Sequence, residues 1–278
     1  MDNFKVIAEI GCIHVGSLER AKKLAKMAKM CGAHVLKTQK RNPRESTKQE
    51  LWNKPHPNQR FSYGKTYLEH RINIELSIEE HRELKSYCEE IDIEYSTSVF
   101  DITSTKEIIK LNPRSIKIPS CANNNEEILK TLLNDYEGEI HISLGMTTRQ
   151  ERENLYNKLI RWDDRLIVYH CVSGYPVPFD QMYLKEITKL KQIFSNVGLS
   201  NHGYGIIMEP ISYMLGARWF ERHFTDDRLF KHTDSSAAVE PGGLSKIVRD
   251  LKVIKQTLKY KPCEIEKIEM EQRNKLRV

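Results

Sequence analysis

No CxxC pair occurs in this 278-residue chain, so neither a zinc site of closely spaced thiolates nor a disulfide framework is indicated. Cys12, Cys31, Cys88, Cys121, Cys171 and Cys263 are scattered, and reduced thiols are the expectation. No run approaches the roughly 20 apolar residues of a membrane-spanning helix. The amino-terminal stretch MDNFKVIAEIG carries an acid and enters a strand-like run, with no basic region or apolar signal core, so a cytoplasmic chain with no membrane partner is expected. GxGxxG and GKS/T are also absent, which removes the phosphate-binding fingerprints of dinucleotide and P-loop folds. Charge of one sign is not in large excess: 44 Lys and Arg face 38 Asp and Glu, a net +6, with both signs interleaved. That pattern describes a solvated mixed surface better than a nucleic-acid face, and it leaves room for a small anionic substrate.

What is present is an alternation of β-rich and helical runs. KVIAEIG (5–11), HVLKTQ (34–39), IEYSTSV (93–99), SIKIPS (115–120), EIHISLG (139–145), RLIVYHCV (165–172), NVGLSNH (196–202) and RWFERHF (218–224) read as strands. A helical run follows each, from SLERAKKLAKMAKMCG after the first to PGGLSKIVRDLKVIKQTL after the last. Eight such pairs favour a closed α/β barrel, a TIM (β/α)8 domain over residues 1–261, above an open doubly wound sheet. One long polar segment, about 41–75, interrupts the rhythm and reads as a lid over the barrel mouth.

Barrels of this kind place their active sites at the carboxyl ends of the strands, where the following loops converge. Polar residues concentrate at those ends: Glu9, Lys37 and Gln39, Thr97, Lys117 and Ser120, Ser143, His170 with Tyr175 beyond it, Ser200 and His202, and His223. Any one of them is more often a satisfied structural residue. Together, two lysines and several hydroxyls at one mouth leave positive charge that an anion would balance, and a phosphate with a carboxylate suits it. His202 and His223, on adjacent strands, could share one divalent metal completed by water and substrate oxygen; such mixed ligation suits manganese better than structural zinc.

The stretches IAEIGCIHVGSLERAKKLAKMAKMCGAHVLKTQ, YSTSVFD, SIKIPS, ISLGM, YHCVSGYPVP, GLSNHGYG and ERHFTDD, in this order, resemble the sialic acid synthase family from about residue 5 to 275. The resemblance implies a phosphoenolpyruvate-dependent condensation with an aldose in a TIM barrel holding a divalent metal, Mn2+ with Mg2+ or Co2+ as alternatives. It implies that Lys37, Thr97, Lys117, Ser120, Ser143 and Ser200 form the phosphoenolpyruvate pocket and that His202 and His223 ligate the metal. It further implies that Glu9 is the catalytic glutamate, that Gln39, Tyr175 and Asp234 contact the sugar or metal-bound water, and that Asn58 contacts the sugar.

The chain departs from the family pattern in three places. The usual INHNG reads CIHVG, with Val15 in place of an asparagine, and Ala122 stands where many members carry a sugar-contacting glutamate. Residues 262–278 resemble the linker into a carboxyl-terminal antifreeze-like domain through which members commonly dimerise; here a homodimer through barrel helices is the expectation. These differences point to an acceptor unlike N-acetylmannosamine. Two alternatives stand beside the main reading. One is a synthase acting on a phosphorylated aldose, served by the basic segment Lys40, Arg41, Arg44; the other is a noncatalytic sugar- or partner-binding descendant.

Overall fold

A computed structural model describes residues 3–262 and 264–278. Eight parallel strands close into a barrel in sequence order: β1 (Lys5–Gly11), β2 (Val35–Lys40), β3 (Glu94–Val99), β4 (Ser115–Ile118), β5 (Glu139–Ser143), β6 (Leu166–Cys171), β7 (Val197–Asn201) and β8 (Trp219–His223). The ring is completed by β1 pairing with β8, with Glu9 opposite His223. Parallel neighbours need crossovers, which the helices supply. These are α1 (Leu18–Met30), α2 (Pro43–Ser46), α3 (Tyr67–Asn73), α4 (Ile78–Glu90), α5 (Ile102–Leu111), α6 (Glu126–Asp135), α7 (Arg149–Leu159), α8 (Glu186–Lys191), α9 (Met208–Met214), α10 (Pro241–Thr257) and α11 (Lys267–Leu276).

Local signals set where the helices begin. Ser77 with Glu80 and Thr148 with Glu151 form capping boxes at α4 and α7, Asp101 caps α5, and Pro241 occupies the first turn of α10. In α1, Ala21, Leu24, Ala25 and Ala28 recur at helical spacing and are all buried against the sheet. The main core lies in this shell between strands and helices, and Phe220 of β8 and Phe224 just beyond it belong to it. Alternate residues turn inward. Ile7, Val35, Ile167 and Tyr169, with Trp219 against them, plug the lower barrel. A Cβ at position 198 would lie 2.6 Å from the Tyr169 ring, so Gly198 leaves the space that this plug needs. Polar residues occupy the inward positions above the plug.

The segment 41–75 is not a structureless loop. It contains α2, two 3-10 turns (Gln49–Leu51 and Gln59–Phe61) and α3, whose capping box joins Thr66 to Glu69. It reaches across to the loop after β8, where the Tyr63 hydroxyl donates to the Lys231 carbonyl at 2.5 Å. Beyond α10, α11 buries none of its residues. Cys12, Cys31, Cys88, Cys121 and Cys171 are free thiols, and Cys263 lies outside the described residues. Among the described residues, no helix is long and apolar enough to cross a membrane.

Candidate active site

Strand register builds the site. Lys37 of β2 pairs in register with Glu9 of β1, which pairs with His223 of β8; Ser98 of β3 pairs with Lys117 of β4, and Ser200 of β7 with Glu221 of β8. All of these line one cavity of about 230 Å³ at the carboxyl ends of the strands. Of the residues expected from the sequence, Glu9, Gln39, Tyr175, Asp234, Lys37, Lys117, Ser120, Ser143, Ser200, His202 and His223 also line it.

Two do not. Thr97 pairs with Thr38 and accepts that hydroxyl at 3.0 Å, in a polar layer with Tyr95 and His81 that faces α4. Its neighbour Ser98 lines the cavity instead, accepting from the Lys37 ammonium at 2.9 Å, because side chains alternate between the two faces of a strand. Asn58 is exposed, and its side chain caps the Gln59–Phe61 turn through the Arg60 N–H.

The floor is a charge network. Lys117 Nζ reaches Glu221 Oε1 at 2.6 Å and Lys37 Nζ the same oxygen at 3.7 Å, while Lys37 also contacts Glu9 Oε1 at 3.2 Å. The two lysines are therefore balanced by two carboxylates, and the expectation of unpaired positive charge is corrected by Glu221. Sequence reading passed over this residue, although it lies two positions before His223 and so on the same strand face. Burial pushes the Glu221 carboxyl up, but Lys117 and Lys37 outweigh it and hold it at about 2. Burial likewise opposes ionisation of Glu9, and Lys37 and His223 hold its carboxyl well below the ordinary range. The Lys117 ammonium is lowered by burial, an effect that Glu221 offsets in part. Ser143 Oγ and Glu221 Oε2 are buried with no hydrogen-bond partner, so the floor presents a free hydroxyl beside its cations. The cost of such orphans is recovered when a ligand arrives.

Above the floor, the His202 and His223 ring centroids lie 5.3 Å apart, and the Tyr175 ring lies 4.4 Å from His202, tilted by 48°. His202 Nδ1 lies 3.3 Å from the Val172 carbonyl, which assigns the proton to Nδ1 and leaves Nε2 with its lone pair. Burial, then His223, lowers the His202 imidazole to about 3, which keeps it neutral. A neutral imidazole with its second nitrogen anchored on a carbonyl is the usual state of a metal ligand. The His223 Nδ1 atom contacts Glu9 Oε2 without hydrogen-bond geometry. Burial lowers the His223 imidazole and Glu9 more than restores it, so its net shift is upward. Asp234 faces His223 and His232 from the loop after β8. Among the described residues no group of three or more His, Cys, Asp or Glu side chains is arranged around a metal position, so two imidazoles with oxygens from water or substrate are the donor set that fits.

Gln39 bridges floor and mouth. Its amide donates to Glu9 Oε1 at 2.9 Å, and its carbonyl accepts from Arg41 Nη1 at 2.6 Å. Gly11 makes room for it: φ is +50° there, and a Cβ would lie 2.9 Å from the Gln39 amide nitrogen. Arg71, Cys171 and His232 also line the cavity and were not anticipated. Cys171 follows Tyr169 at the two-residue spacing of a strand, whereas Arg71 comes from α3, and nothing local in the sequence marks that approach.

A model of the NeuB family matches residues 24–262, most of the barrel. The chain belongs to the NeuB family. Its relatives include the human N-acetylneuraminate-9-phosphate synthase, 32% identical over 94% of this chain and 74% of that protein. The N,N'-diacetyllegionaminic acid synthase of Campylobacter jejuni is 29% identical over 91% of this chain and 77% of that protein. Among solved structures, the N-acetylneuraminic acid synthetase of Leptospira borgpetersenii superposes with a TM-score of 0.80 at 25% identity, covering 99% of this NeuB-family chain and 92% of that one.

Proposed function

We propose that this NeuB-family barrel condenses phosphoenolpyruvate with an open-chain aldose, giving a 3-deoxy-2-ulosonic acid of the sialic acid type and inorganic phosphate, for surface carbohydrate biosynthesis. The observation that carries the reading is the floor, where Lys37 and Lys117 converge on Glu221 directly beneath the His202 and His223 pair. Relatives of the chain are named for products both with and without a phosphate.

In this reading the phosphate and carboxylate of phosphoenolpyruvate take their charge pairing from Lys37 and Lys117, with hydroxyls from Ser98, Ser120, Ser143 and Ser200 completing the hold. That fixes the methylene carbon toward the aldehyde, so attack proceeds within one encounter complex. A divalent ion, manganese with magnesium or cobalt as substitutes, would be held by His202 and His223 and would supply Lewis acidity at the aldehyde oxygen. The new carbon–carbon bond leaves cationic character at the former enol carbon, and the ionised Glu9 lies close enough to the Lys37 end of the floor to stabilise it. Water then adds at that carbon, its proton passing to the Glu9 carboxylate. The tetrahedral intermediate expels phosphate by carbon–oxygen cleavage, and the two lysines stabilise the departing charge. Gln39, Tyr175 and Asp234 orient the sugar in the mouth.

The test is phosphate release from phosphoenolpyruvate with manganese across a panel of aldoses. Turnover should fall at least about a thousandfold on chelation or in His223→Ala, while phosphoenolpyruvate affinity, carried by the lysines, is largely kept. Failure of the wild-type protein to bind phosphoenolpyruvate at all would overturn the reading.

A further inference from the structure

We propose that Arg41 and Arg71 form an anion subsite for the acceptor, and that the aldose bears a phosphate monoester at the end remote from its aldehyde. The inference rests on the condensation proposed above and specifies the acceptor's chemical class.

The two guanidinium groups arrive in the same cavity from different elements. Arg41 follows β2 four residues beyond Lys37, so about 13 Å of extended chain separates it from the floor cation on the same strand. Arg71 comes from α3, which the Thr66 and Glu69 capping box starts. Both side chains are mostly enclosed, 15% and 14% exposed, and both line the cavity. Neither is freely mobile. Arg41 lies flat on Phe100, its guanidinium carbon 3.4 Å from the ring centroid, and one edge is held by Gln39 Oε1. Arg71 Nη2 is held by Glu75 Oε1 at 2.9 Å.

Charge pairing here differs from the floor. Among the described residues Glu75 is the one carboxylate in ion-pair contact with both guanidinium groups, at 2.9 Å from Arg71 and 3.9 Å from Arg41, and its second oxygen accepts the Arg41 backbone N–H. Asp234, also in this cavity, makes its nearest ion contact with His232 and adds longer-range attraction to His223, Arg41 and Arg71, but forms no ion pair with either arginine among the described residues. A guanidinium carries five N–H donors in a planar fork. Among the described residues Arg41 uses only Nη1 in side-chain hydrogen bonds, and Arg71 only Nη2. The remaining donors have no side-chain hydrogen bond among the described residues, and two fixed forks lining one cavity are the arrangement that holds a phosphate by several charge-assisted bonds.

Nearby basic residues do not share this placement. Lys40 pairs with Glu107 at 3.5 Å, and Arg44 sits over the Trp52 ring. Of the basic segment singled out in the sequence, only Arg41 turns into the cavity. The proposed chemistry at the floor uses neither arginine. Between the two cationic ends lie Gln39 and the histidine pair, the place of the aldehyde; the remote end of the sugar therefore meets Arg41 and Arg71.

Two measurements test this. Inorganic phosphate titrated calorimetrically into enzyme saturated with phosphoenolpyruvate should find one site, weakened at least about tenfold in Arg71→Met and Arg41→Met and less in Arg71→Lys. Unchanged phosphoenolpyruvate affinity in each variant reports an intact fold. In turnover, an aldose of the panel carrying a terminal phosphate should exceed the same aldose without it by about a hundredfold in kcat/KM, and Arg71→Met should erase that preference by raising KM. A preference for the neutral sugar, or phosphate binding indifferent to both arginines, overturns the inference and leaves the condensation standing. Equal use of a sugar with a carboxylate at that end overturns the phosphate assignment. Wild-type protein that binds no phosphoenolpyruvate sinks the condensation instead, and phosphate titration of the free enzyme and its arginine variants then still decides the subsite.

Discussion

At the scale of single residues, the site is governed by pairing among buried charges. Glu221 is 6% exposed and serves lysines from two different strands, so it keeps the floor neutral until an anionic substrate enters. Removing one partner of such a network leaves the other charges uncompensated. Glu221→Gln should therefore destabilise the free protein by about 3 kcal/mol, and saturating phosphoenolpyruvate should recover much of that loss, as read by denaturant unfolding. The carboxyl is held at about 2 against an ordinary 4.5. Its folded value is the lower one, so its contribution is complete above about pH 4.5 and disappears as pH falls toward 2. The wild type should lose stability across that window more steeply than Glu221→Gln; parallel slopes would contradict the assignment. Val15 illustrates backbone strain. Its φ is +46°, a conformation that a β-branched residue adopts at a cost of about 1 to 2 kcal/mol. Val15→Asn should raise stability by about 1 kcal/mol in urea unfolding, since asparagine tolerates this region.

At the scale of elements, strand register decides which hydroxyl is chemistry and which is structure. The run YSTSV carries hydroxyls on both faces, so no apolar alternation marks its inward side. Thr97 was accordingly expected in the pocket, and the pairing of β3 with β2 and β4 turns Ser98 there instead. Ser98→Ala should raise KM for phosphoenolpyruvate several-fold, whereas Thr97→Val should leave KM unchanged and cost about 1 kcal/mol of stability from the lost hydroxyl pair. A KM effect in the threonine variant alone would reverse the register. The insertion shows the converse. Its polarity and length suggested a lid; helix α3 gives it order and brings Arg71 to the cavity. The Thr66 and Glu69 spacing is a helix-start signal that went unread in so polar a segment, and nothing local marks the cavity that Arg71 reaches.

At the scale of the molecule, the barrel was readable because eight strand-like runs each precede a helical run, and parallel strands require such crossovers. That rhythm also placed the site, since most of the polar strand ends expected to converge do line one cavity. By itself the sequence determined the fold class and the placement of the two histidines and two lysines at strand ends, because strand periodicity and strand ends are local properties. Closure of the barrel decided the rest. It brought Glu221 between Lys37 and Lys117 across the lumen, chose Ser98 over Thr97, and set Arg71 opposite Arg41. Those pairings join residues far apart in the chain, and only the fixed register of a closed sheet and the packing of the insertion on its mouth bring them within contact distance.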